Sequence, residues 1–151
     1  MRLRAGEIVG VLATVGLFAA LFMDWTEDPL GTSSGWASLW IGVQLIVDLA
    51  LLFALIVPLV IATRQTVAAQ MVATSIAAFV SFVAVIALTI DVVQIAGDES
   101  YGNVTLLWPA YAAIGLAVVL FLGMWRSLAD ERVTAPESAY SPPPARPVPP
   151  A

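Results

Sequence analysis

At 151 residues the chain is one domain at most; 60% of it is apolar and only 11% charged, less than half the charge of a soluble domain. It contains no Cys, no His and no Lys, its six basic residues all being arginine. That inventory excludes thiolate nucleophiles, disulfide relays, His-based triads, haem imidazoles, the usual zinc sites and Schiff bases, so the chain reads as non-enzymatic, with no cofactor and no metal.

A bilayer core takes about 20 apolar helical residues to cross. Four runs meet that requirement, at about residues 6–23, 37–62, 67–90 and 107–125. Met1–Arg4 resembles the basic start of a signal peptide, but no small-x-small pair follows the first run, at Phe22–Trp25, so an uncleaved span is expected. Arg2 and Arg4 precede the first run, Arg64 separates the second from the third, and Arg126, Arg132 and Arg146 follow the fourth. The alternate connections hold Asp24, Glu27, Asp28, Asp91, Asp98 and Glu99 and no base. This is the positive-inside pattern for an even number of spans with both termini cytoplasmic. The expectation is an all-α, four-helix transmembrane bundle, up-down-up-down, over residues 1–132, in a bacterial cytoplasmic membrane. Trp25, Trp36, Trp40 and Trp108 fall near its outer boundary and Trp125 near its inner one, where indoles favour the headgroup layer. Pro58 lies in the last turns of the second span and is expected to bend it.

From residue 133 the composition changes: seven prolines in nineteen residues leave almost nothing to bury, and a disordered, polyproline II-like cytoplasmic tail is expected. Its overlapping PxxP spacings, Pro144–Pro147 and Pro147–Pro150 with Arg146 between, fit either docking to a cytoplasmic partner or an inert spacer. Nucleic acid is excluded as a partner, since no basic patch exists beyond the flanking arginines.

Asp48 is the most informative position. Counted from Trp36 at ~1.5 Å per residue it lies ~18 Å down a helix, near the bilayer midplane, where a carboxylate costs at least ~2.5–3.5 kcal/mol. Every arginine is too far away to offset that cost. Gln44 is one turn off on the same face, and Thr14 and Ser81 come to similar depth, which predicts a buried Gln44–Asp48 cluster hydrogen-bonded to Thr14 or Ser81. Such an acid either pins helices together or carries a proton or cation; both readings stay open. Small residues at Gly6, Gly10 and Ala13 in the first span, and at Ala69, Ala73, Ala77 and Ser81 in the third, permit close helix packing within the chain or between copies. The six outer acids read as a solvated rim, with a cation or basic-partner site as the alternative. Glu7 is expected to face the arginine-rich surface or to favour its own helix N-terminus.

The basic start, the span closing on LFMDW (Leu21–Trp25), the Gly/Ser loop and the acid at Asp48 resemble a group of small, uncharacterised four-span bacterial integral membrane proteins. That resemblance covers about residues 1–130 and implies a fold without an activity. GWASLW (Gly35–Trp40) is also similar to the W…GLW signature of claudin-type four-span proteins. The chain departs from claudins in lacking the two following cysteines and, by length, an outer loop able to form a β-sheet. The functional expectation is a non-catalytic membrane protein, surrounded by lipid, that acts through association as an accessory or scaffolding subunit with a second copy or another membrane protein. The alternative is a small oligomeric channel or proton-linked transporter using Asp48.

Overall fold

The computed structural model describes residues 5–63, 67–97 and 104–134, with the backbone alone for residue 67 and residues 130–134. Four apolar helices form its body: α1 (Ala5–Leu21), α3 (Ile41–Ala62), α4 (Val67–Gly97) and α5 (Trp108–Thr134). A single turn, α2 (Gly35–Ser38), precedes α3. Three helices, α3, α4 and α5, are long and apolar enough to cross a membrane; α1 is as apolar but has 17 residues. The described chain is thus predominantly α, as expected.

Packing runs α1 on α5, α5 on α4 and α4 on α3, with a sparser contact between α3 and α1. Alanine, valine and leucine from all four helices make one core, including Leu17, Val47, Ala54, Ala77, Leu88, Ala113 and Leu120. Neighbouring helices are antiparallel. Trp40 at the start of α3 meets Asp91 near the end of α4, and Gly6 at the start of α1 meets Ser127 near the end of α5. Small residues set the second contact: a Cβ built on Gly123 would fall 2.9 Å from the Gly6 carbonyl oxygen and from the Gly10 nitrogen, so only glycine lets the two backbones approach this closely.

The connection between α1 and α3 departs from expectation. Instead of an irregular Gly/Ser loop it forms β1 (Asp24–Asp28) and β2 (Gly31–Ser34), and β3 (Thr105–Leu106), just before α5, pairs with β1 in a three-stranded sheet ordered β2-β1-β3. The turn, though not the strands, was legible: Asp28, Pro29 and Gly31 occupy the first, second and fourth positions that a type I turn favours. Asp28 Oδ1 accepts from the backbone N–H of Leu30 (2.7 Å) and Gly31 (2.9 Å), which closes the turn. The premise that this loop is too short for a sheet is therefore corrected.

Helix boundaries shift for related reasons. The second apolar run does not form one helix from residue 37, because Leu39 and Trp40 are extended and α3 begins at Ile41. Leu39 buries its side chain in the core, and the Trp40 N–H donates to Asp91 Oδ2 at 3.4 Å instead of to a helical carbonyl. The helix α4 continues past residue 90 to Gly97, burying Val92 and Ile95, and α5 continues past Trp125 to Thr134. Pro58 lies inside α3 without ending it. At its far end Thr63 Oγ1 donates to the carbonyl of Val60 (3.1 Å), one of the acceptors a helix end leaves open, and to that of Leu59 (3.0 Å), which also accepts the Thr63 N–H. The proline-rich tail from residue 135 onward, with Pro144, Arg146, Pro147 and Pro150, lies outside the described residues, as do Arg2, Arg4 and Arg64.

Candidate functional site

The sheet caps one end of the helices, and Trp25 anchors it. A register shift between Asp24 and Thr26 places Trp25 and Thr26 both inward, which an unbroken strand with alternating faces cannot do. Trp25 has no exposed surface, and its Nε1–H donates to the Ala20 carbonyl (2.8 Å) at the end of α1, which also accepts the Met23 N–H (3.1 Å). Gly35 makes room for the indole, since a Cβ there would sit 2.5 Å from Trp25 Cε2. Of the expected boundary tryptophans, Trp40, Trp108 and Trp125 are exposed, whereas Trp25 is fully buried and Trp36 is half-buried edge-on against Phe18 and Phe22.

Between the cap and the end of α4 lies a cleft of about 1010 Å³, lined by Thr26, Asp28, Ser38, Trp40, Asp91 and Gln94 among others. Ser38 Oγ donates to the Ser34 carbonyl (2.9 Å), so in its 3.2 Å contact with Thr26 Oγ1 the threonine is the donor. The expected acidic rim is thereby divided. Asp28 and Asp91 line the cleft, with Asp28 serving its turn and Asp91 the start of α3. Asp24 and Glu27 are exposed, and Asp98 and Glu99 lie outside the described residues. Among the described residues no three potential ligands come together to hold a metal ion.

The expected intramembrane cluster does not assemble. Thr14 is buried, but its hydroxyl donates to the Gly10 carbonyl of its own helix at 2.8 Å. Ser81 is buried with Oγ lacking a hydrogen-bond partner. Gln44 and Asp48 are half-buried, and Asp48 is hydrogen-bonded to neither Thr14 nor Ser81. The cause is the rotation of α3. Its core face is Val43, Val47, Ala50, Leu51, Ala54, Val57 and Ile61, and at ~100° per residue Asp48 points well over 90° from the centre of that face. Its neighbours along the helix surface, Leu45, Leu52 and Leu55, are exposed. The later start of α3 also makes Asp48 shallower than the count from Trp36 implied, seven residues or ~10 Å from the cap end of a ~33 Å helix.

Two acids are buried that were not expected as such: Asp91, expected in a solvated rim, is 7% exposed, and the second is Glu7. Glu7 is 4% exposed, wedged between α1 and α5, where Ser127 Oγ donates to its Oε1 at 3.4 Å. Nothing in the local sequence marks Ser127 as its partner, because the pairing depends on the crossing of two helices far apart in the chain.

Comparisons with protein families, with curated proteins and with solved structures find no match for this chain.

Proposed function

We propose that this is a four-span integral membrane protein, with its arginine-bearing ends cytoplasmic and the β-cap outside, that works by associating with protein in the bilayer and not by catalysis. The arginine distribution supports the orientation. The first helix, too short to qualify by length alone, is counted as a span because it lies along α5 from Gly6 beside Ser127 to Gly16 beside Leu116. In this reading the chain resides in the cytoplasmic membrane of a bacterium, with lipid around its exposed leucine, valine and phenylalanine side chains.

The observation that carries the reading is Asp48. Acids within spans face a bundle interior or a water-filled cavity, or pair with other polar groups, because lipid offers no hydrogen bonds and the cost at a helix centre is ~2.5–3.5 kcal/mol. Here the acid sits on the outward face of α3 between exposed leucines. A polar group on a neighbouring protein's helix relieves that cost, which makes this face the place of association. A transport role needs a succession of polar groups, and Thr14 and Ser81, the candidates at comparable depth, belong to the core instead.

Chemical cross-linking in intact membranes tests the proposal. The wild-type chain is expected to yield adducts to protein through α3, and Asp48→Leu to lose them while retaining its helix content. Proton flux abolished in Asp48→Asn vesicles, with cross-linking unchanged, would replace association by transport.

A further inference from the structure

We infer that the occupant of the α3 face is a second copy of this chain, the two α3 helices packing in parallel about a two-fold axis along the membrane normal; this rests on the association reading above. Asp48 carries the inference, set in an exposed apolar stripe of α3 whose geometry a second helix can match. Ile41, Leu45, Leu52, Leu55 and Leu59 are 50–68% exposed, and with Asp48 they fall at intervals of 4, 3, 4, 3 and 4 along the helix. That is the spacing of a two-helix seam, which repeats every 3.5 residues and packs knobs into holes when two helices cross at a shallow angle. The exposed faces of α1 (Ile8, Leu12, Val15) and α4 (Val72, Ile76, Phe79) have similar spacing, as any helix face does, but only α3 carries an acid inside that stripe, which a surface meeting lipid alone has no need of.

Asp48 selects the partner. Copies inserted by the same rule have the same orientation, so their α3 helices are parallel and Asp48 of one lies at the depth of Asp48 in the other. An isologous interface brings the same residues to the axis from both sides. In the acid form each carboxyl group has one O–H donor and a free acceptor oxygen, which is self-complementary across a two-fold axis. Gln44, one turn toward the cap and flanking the seam, adds an amide that both donates and accepts. A single polar residue within an apolar seam also fixes the register, since sliding either helix by one turn would leave both acids unpaired in lipid. The site is incomplete in one chain and complete in two.

The absence of cysteine makes the test direct. Single-cysteine variants of the full chain at Leu45, Leu52, Leu55 and, as an exposed control on α4, Phe79 are oxidised in native membranes. The three α3 positions are expected to give a doubled-mass disulfide species and Phe79 none. Adding Asp48→Leu should remove the species, and Asp48→Asn, which keeps a hydrogen-bonding side chain, should retain it. Absence of the dimer at all three α3 positions, or equal yield from Phe79, overturns the inference. A photoactivatable residue at Leu52 separates it from its premise. Adducts only to proteins of other mass overturn the second copy and leave association standing, and adducts only to lipid overturn both.

Discussion

Trp25 joins three parts of the molecule: the C-terminal end of α1, the inner side of the sheet and the turn at Gly35. Trp25→Ala is expected to cost ~3–5 kcal/mol, the range for emptying a site filled by a large aromatic, measured by denaturant unfolding in detergent micelles. Gly35→Val should reproduce part of that loss by displacing the indole. Ser81 predicts the opposite sign. Its Oγ is buried without a partner, so Ser81→Ala should leave stability unchanged or raise it by up to ~1 kcal/mol, because no hydrogen bond is lost and a desolvated hydroxyl is removed. The identities of these residues were plain in the sequence and their roles were not. Trp25 follows an acid at the end of a span, as a headgroup tryptophan would, and only the strand irregularity turns it inward. Asp48 was legible as exceptional, but its direction depends on the rotation of α3, which is set by which of its faces is better at packing against α4.

At the level of elements, the apolar runs predicted the helices because length and mean hydropathy are local quantities. The boundaries followed longer-range bonds. Trp40 is extended where its N–H reaches Asp91 across the hairpin, and no property of residues 37–41 alone announces that. Asp91→Ala should therefore loosen the start of α3, costing ~1–3 kcal/mol for the unsatisfied N–H, with earlier amide exchange at Trp40 and Ile41 than in wild type; unchanged exchange would remove Asp91 from this role. The β-hairpin had a readable turn signal at Asp28–Gly31, whereas the addition of β3 depends on α1 ending beside the start of α5. Their crossing also makes a prediction. Gly123→Leu would force a side chain between backbones separated by less than a Cβ contact allows, and the expected result is separation of α1 from α5, seen as new protease sensitivity in α1. The same change at Gly115, where an added Cβ meets nothing, should be tolerated.

For the whole molecule, everything proposed depends on the helices lying in lipid with the sheet on one side and the arginines on the other. The exposed residues accord with that arrangement. Phenylalanine, leucine and valine cover the outside of the helices, and the described polar contacts that tie elements together gather near the two ends, Trp40–Asp91 at the cap and Glu7–Ser127 at the opposite end. Leu30, at the tip of the hairpin, is 98% exposed, and Thr63 closes the far end of α3. Single cysteines at these two positions, treated on intact cells with a membrane-impermeant thiol reagent, test the account most directly. It predicts that the cysteine at Leu30 is labelled at once and the one at Thr63 only after the membrane is opened. Labelling of both in intact cells, or of Thr63 alone, would contradict it.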